Sequence, residues 1–155
     1  EIHERLVGSE MCIRDRYAVD DMVRQVIRKY AKIFISKKIK MNFKPTGRYT
    51  VTDDKWFVFV LEQFISNALK YTKKGQISIY MKEKSLVIED TGIGIPAEDL
   101  PRIFEKGFTG YNGRENKKST GIGLYLCKNI MDKLQWNITV DSEVGSGTKI
   151  YLTKM

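Results

Sequence analysis

Residues 85–95 read Ser85-Leu86-Val87-Ile88-Glu89-Asp90-Thr91-Gly92-Ile93-Gly94-Ile95. The first half is a β-rich run and the second a glycine-rich turn, so a strand delivers the Asp90 carboxylate directly onto two glycines. A carboxylate held there can accept a hydrogen bond from a ligand amino group, and the glycines let backbone approach a flat ring. Alone, this D-x-G-x-G fits a plain turn more readily than a nucleotide site. It is not the G-x-G-x-x-G of a dinucleotide fold, and the chain has no G-x-x-x-x-G-K-[ST] P-loop.

Upstream, residues 76–81 and 85–89 predict a hairpin across Lys82-Glu83-Lys84. Before it, Thr52 or Asp53 can cap a helix running to about Tyr71 on the apolar set Phe57, Val60, Leu61, Phe64, Ile65 and Ala68. Lys73-Lys74-Gly75 suits its C-terminus. Earlier still, Val19, Met22, Val23, Val26, Ile27, Tyr30, Ala31 and Phe34 recur at three and four, predicting a helix over 17–38. Alternation at Ile39, Met41 and Phe43, a turn at 45–47, then Tyr49 and Val51 suggest another hairpin. Downstream come a short helix over 96–104, a loop to Thr120, a helix over 123–134, and strands near 137–140 and 148–152 around Gly145-Ser146-Gly147. Without regular βαβ alternation, the expected class is α+β: a layer of helices on a mixed, largely antiparallel sheet.

Two further patterns carry chemistry. Gln63, Asn67, Lys70 and Tyr71 stand at i, i+4, i+7 and i+8, a polar stripe beside the core face of the second helix. Asn67 offers a hard oxygen suited to Mg²⁺, Lys70 a point charge for phosphate, and Tyr71 a ring for a base. By itself the stripe fits a solvated helix face better. Thr120-Gly121-Ile122-Gly123-Leu124 opens the next helix, where exposed N–H groups at the positive end of the macrodipole can receive phosphate oxygens. A plain turn before a core helix explains those glycines equally well.

Together and in this order, the three patterns resemble the histidine-kinase branch of the GHKL ATPases, named for gyrase, Hsp90, histidine kinase and MutL. In that family's terms, residues 63–72 are the N box and 90–95 the G1 box, while Ile103-Phe104-Glu105-Lys106-Gly107-Phe108 is the F box. Residues 120–124 are the G2 box, and Gly145-Ser146-Gly147-Thr148 matches the closing glycine turn. The matches span nearly everything from Asp53 to Leu152. Residues 17–44 are similar, more weakly, to Gram-positive kinases that respond to cell-envelope antibiotics.

The resemblance implies a two-layer α/β sandwich of the GHKL (Bergerat) type, with its helices on one face and MgATP as ligand. Asn67 would bind Mg²⁺, Asp90 would recognise the adenine amino group, and Gly92 and Gly94 would shape the base pocket. Lys70 and Tyr71 would flank the nucleotide. Gly121 and Gly123 would leave room for phosphates, and Ile95, Phe104, Lys106, Thr120, Leu124 and Thr148 complete the expected binding set. The family often has asparagine where Gln63 stands, and a related branch places a general-base glutamate there. Glutamine cannot act as a base, which argues against a gyrase-like or chaperone-like ATPase. The segment between Phe104 and Ser119 would be the ATP lid. Gly107, Gly110 and Gly113, with Lys106, Arg114, Lys117 and Lys118 outnumbering Glu105 and Glu115, suit an anion-seeking flap.

Phosphoryl transfer asks a protein mainly for positioning and charge neutralisation. In this family the nucleophile is a histidine on a separate dimerisation hairpin, which is expected upstream. His3, the one histidine, lacks the basic residue and proline that should follow Glu4, so the fragment is not expected to autophosphorylate alone. A response regulator is the implied indirect partner. The alternative is a nucleotide-binding regulatory module of the same fold without catalysis.

Composition sets the outer bounds. With 155 residues, 42% hydrophobic and 30% charged, the chain suits one globular domain. No apolar run reaches the ~18–20 residues of a bilayer span, so membrane contact is expected only through segments further upstream. Two cysteines, Cys12 and Cys127, are too few for a disulfide framework and agree with a cytoplasmic location. A net charge of +8 fits nucleic acid, an anionic membrane or a phosphorylated ligand, and only the last is supported by the motifs. Residues 6–16, LVGSEMCIRDR, resemble a translated transposase sequencing adapter. Residues 1–16 are therefore expected to be foreign and 17–155 to be the catalytic domain.

Overall fold

The computed structural model describes residues 15–108 and 122–155. Strand β1 (Asp15–Ala18) leads into helix α1 (Val19–Lys37), followed by β2 (Lys40–Phe43), β3 (Tyr49–Thr52) and α2 (Asp54–Tyr71). Strands β4 (Gln76–Lys82) and β5 (Ser85–Asp90) follow, then one turn of 3-10 helix (Leu100–Arg102), α3 (Gly123–Leu134), β6 (Trp136–Glu143) and β7 (Gly147–Lys154). Five strands form a sheet in the order β2-β4-β5-β7-β6, antiparallel except for the parallel β2–β4 pair. The α+β expectation of a mixed, largely antiparallel sheet with a helical layer holds.

Register shows how the sheet builds its two faces. Residues paired across strands share a face, so Met81, Leu86, Leu152 and Ile138 form one transverse row, and Phe43, Ile79, Ile88, Ile150 and Val140 the next. Both rows join the cluster that holds Val23 and Val26 of α1, Phe57, Leu61 and Phe64 of α2, and Ile130 and Met131 of α3. The third row on this inner face reads Met41, Ile77, Asp90, Thr148 and Ser142. There the inner face turns polar. Asp90 is placed beneath the helices by the same alternation that buries Leu86 and Ile88.

Helix α2 ends as its sequence predicts. Phe57, Val60, Leu61, Phe64, Ile65, Ala68 and Leu69 are buried, and Thr72 takes the chain out in an extended conformation. Helix α3 also matches its expected span and ends at Gln135, a left-handed residue whose N–H reaches Asp132 O at 3.2 Å. No helix among the described residues is long and apolar enough to cross a membrane.

Three expectations need correction. The first helix starts at Val19 rather than Tyr17, because 15–18 pair antiparallel with β3. Periodicity in side chains does not register main-chain pairing of this kind. The supposed hairpin of 39–51 does not form: β2 pairs with β4 and β3 with β1. The cause is Asp20, whose carboxylate accepts Thr46 N–H at 2.8 Å, the Thr46 hydroxyl at 2.7 Å and Gly47 N–H at 3.0 Å. Those bonds hold the connecting loop at the start of α1 and draw the chain away from β2. Finally, the helix expected over 96–104 is only a chain of turns, with N–H bonds from Asp99 to Pro96 O and Arg102 to Asp99 O. Pro101 lacks a donor and crowds the carbonyl four residues back, so three-residue turns replace an α-helix.

Candidate functional site

The polar end of the inner face lies where α2 finishes. Gln63, Asn67, Lys70 and Tyr71 are all half-buried, flanking the buried stripe as their spacing requires. Tyr71 O accepts Ile93 N–H at 3.1 Å, which fastens the glycine loop to the helix end. The Asn67 side chain makes no hydrogen bond among the described residues. The Lys70 ammonium lies 5.2 Å from the Tyr71 ring centre.

Asp90 stands at the middle of this end. Its Oδ1 accepts Gly92 N–H at 2.8 Å. Burial pushes its carboxyl above the ordinary aspartate range, against the opposing pull of the Gly92 and Thr148 backbone N–H groups. Gly92 has to be glycine: a Cβ there would lie 2.6 Å from Tyr71 O and 2.9 Å from both Asp90 Oδ1 and Thr72 Oγ1. Gly94 has φ +79° and a Cβ would meet Glu143 O at 2.2 Å. The loop is therefore pressed against the β6–β7 hairpin as well as α2.

That hairpin is tied down by one serine. Ser142 Oγ accepts Ile95 N–H at 2.8 Å, contacts the Thr148 hydroxyl at 2.8 Å and lies 3.0 Å from Gly147 O. Gly145 N–H donates to Ile93 O at 2.9 Å. Sequence reasoning missed Ser142 and Thr72. Ser142 carries no motif, and its role follows only from pairing opposite Thr148; Thr72 sits inside the N box, but burial is what distinguishes it.

The start of α3 joins the same end through Gln63, whose Oε1 lies 2.5 Å from where a Gly123 Cβ would be. Gly123 is thus brought beside the polar stripe, whereas Leu124 packs against the hydrophobic core. Phe104 packs against the core, whereas Lys106 is exposed with its ammonium 5.9 Å from the Tyr125 ring centre. Thr120, Gly121 and most of the expected lid lie outside the described residues. No group of three acidic, histidine or cysteine side chains able to hold a metal occurs among the described residues. A Mg²⁺ held chiefly by phosphates and water needs only one protein oxygen, which the Asn67 amide could supply.

Comparison with known proteins gives the same outline. The family model for histidine kinase-, DNA gyrase B- and HSP90-like ATPases matches residues 52–154. The chain is 34% identical to the sensor histidine kinase YxdK of Bacillus subtilis (strain 168) over 148 residues, covering 89% of this chain and 46% of that protein. It is 43% identical over 108 residues to the sensor protein kinase GraS of Staphylococcus aureus (strain JH1), covering 67% and 31%. The chain thus spans less than half the length of these curated relatives. Its fold matches full-length ShkA, solved in complex with AMPPNP, with TM-score 0.74 at 19% identity over 90% of this chain and 30% of ShkA. With the matched residues running from the end of β3 through β7, the chain belongs to the histidine kinase-, DNA gyrase B- and HSP90-like ATPase family.

Proposed function

We propose that this chain is the MgATP-binding catalytic domain of a sensor histidine kinase, presenting the γ-phosphate to a histidine on a separate dimerisation hairpin. The observation that carries this reading is the Asp90 carboxylate on the inner row of the sheet. It is half-buried beneath the helices and edged by two glycines that no larger residue can replace. ShkA, which shares the fold, binds a nucleotide analogue, and YxdK and GraS are named as sensor kinases.

ATP supplies a phosphoryl group with a good leaving group, so the protein's task is placement. Asp90 accepts a hydrogen bond from the base amino group, while Gly92 and Gly94 admit the ring. Asn67 would hold Mg²⁺ through its amide oxygen, the metal supplying charge neutralisation on the phosphates, and Lys70 offsets phosphate charge. Gly123 opens α3, whose first N–H groups face phosphate oxygens. Gln63, carrying no charge, does not deprotonate water, which favours transfer over hydrolysis.

The domain is assigned to 17–155. Main-chain pairing of Asp15 and Arg16 with β3 uses groups any sequence supplies, so it is compatible with a foreign 1–16. A cytoplasmic position below a membrane-bound sensor, and a response regulator receiving phosphate from the hairpin, complete the proposal. Its test is incubation with γ-labelled ATP and the purified hairpin. Acid-labile label on the hairpin histidine supports the kinase reading. Tight ATP binding without transfer would instead support a regulatory module.

A further inference from the structure

The net positive charge of the chain originates in one stretch. Of its 27 lysines and arginines, nine lie in residues 22–52, which contain no Asp or Glu, and the other 18 are matched by all 19 acids. Helix α1 sorts these cations by face. Val19, Met22, Val23, Val26 and Phe34 are its buried side. At 3.6 residues per turn, Arg24, Arg28, Lys32 and Ile35 fall together on the opposite side, and all four are exposed, as is Lys38 at the helix end. This stripe is about 20 Å long at 1.5 Å per residue. The acids of α1, Asp20 and Asp21, both stand in its first turn, with Asp21 3.7 Å from Arg24. Lys29 is drawn aside to Glu62 of α2 at 3.0 Å, and Lys37 donates to Leu69 O. Among the described residues, Arg28, Lys32 and Lys38 make no ion pair. A solvated helix face ordinarily mixes charge signs at three- and four-residue spacing. Here one sign persists, and an isoleucine, Ile35, is 76% exposed between Lys32 and Lys38.

We propose that this outer face of α1 docks on an anionic lipid bilayer, with Arg24, Arg28, Lys32 and Lys38 over the headgroups and Ile35 entering between them. The proposal goes beyond the nucleotide-binding reading and does not need it. The chemistry of the face selects a bilayer. The outer side of a single helix is convex, so it suits a broad surface rather than a peptide that needs a groove. Its free cations call for anions. Its one exposed isoleucine calls for an apolar phase directly beneath those anions, which lipid supplies and a nucleic-acid backbone does not. Lys and Arg can lay their methylene stems beside Ile35 while their charged ends stay among the headgroups. Membrane contact is thereby extended from segments further upstream to the domain itself.

The test is co-sedimentation of the full chain with vesicles of phosphatidylcholine alone and of phosphatidylcholine mixed with phosphatidylglycerol. Wild type should bind only the mixed vesicles and be released as salt is raised. A cation near an anionic surface strengthens binding about fivefold, so the triple variant Arg28→Gln, Lys32→Gln, Lys38→Gln should bind about 100-fold more weakly. A control triple, Lys55→Gln, Lys84→Gln, Lys149→Gln, removes the same charge from the start of α2, the β4–β5 turn and β7, and should lose about threefold at most. Ile35→Ser leaves the charge unchanged and should cost about tenfold through the lost apolar contact. Every substituted side chain lies at the surface, and a melting temperature equal to wild type verifies that each variant is folded. No binding of wild type to the mixed vesicles would overturn the proposal, as would equal losses in the two triples or an Ile35→Ser variant that binds like wild type. Tighter binding to duplex DNA than to the mixed vesicles, lost in the α1 triple, would assign the face to nucleic acid and overturn it as well.

Discussion

Replacing Asp90 with asparagine removes a charge and an acceptor while conserving volume. In the wild type one carboxylate oxygen takes Gly92 N–H at 2.8 Å and the Thr148 N–H faces the same group. The remaining acceptor capacity is what a base amino group would use. Asparagine has one acceptor oxygen and one amide NH₂. Whichever way the amide turns, its NH₂ confronts either a backbone N–H or the ligand amine. The loss is one hydrogen bond to a charged group, about 1.5–3 kcal/mol, or roughly 10- to 150-fold in Kd. Stability without ligand follows a different course. Burial raises the folded pKa of Asp90 above its unfolded value, so ionisation costs stability as pH rises through the folded value. The uncharged variant is spared that cost and loses about 1 kcal/mol of hydrogen bonding instead. Melting temperature should therefore move by no more than about 2–4 °C. Calorimetric titration with ATP and a thermal melt of the same sample read both quantities. Affinity within threefold of wild type, or a collapse of the fold, would refute the assignment.

Further consequences concern the metal and the loop before β3. Asn67→Ala should abolish the Mg²⁺-dependent part of ATP affinity, with Kd in magnesium rising to the value measured in EDTA; wild-type binding that ignores magnesium would contradict it. Asp20→Asn should destabilise the protein by about 2 kcal/mol near neutral pH by weakening charge-assisted bonds to Thr46 and Gly47. Burial opposes the ionisation of Asp20, but its hydrogen bonds and Arg24 outweigh that and hold its carboxyl below the ordinary range. Its contribution is thus complete above the unfolded pKa of about 3.9 and is lost as pH falls through the lower folded value. Denaturant unfolding of wild type and variant between pH 3 and 7 should show the difference shrinking only at the acid end.

The elements most legible in the sequence are those with one strong period and a clear stop. Phe57 to Ala68 and the lysines beyond Tyr71 define α2, and Gly123 to Leu134 defines α3. The β4–β5 hairpin was equally readable, since its two runs are joined by a short polar turn. What the sequence hid depends on partners distant in the chain. Alternation at Met41 and Phe43 shows which side chains face inward but not that β2 will lie parallel to β4. Asp20 reads as a helix-start acid, and only the folded chain shows it holding Thr46. For the candidate site, motif order located Asp90, Gly92, Gly94, Asn67 and Gly123 at one end of the fold. The ties through Ser142 and the buried Thr72 hydroxyl arise from cross-strand register and packing, which no local pattern encodes.

The most direct test of the account is a crystal structure of residues 15–155 with AMPPNP and Mn²⁺, the metal located by its anomalous signal. The account predicts the base amino group on the Asp90 carboxylate and the metal peak beside the Asn67 amide oxygen. A nucleotide bound away from Asp90, or a metal with no contact to Asn67, would contradict it.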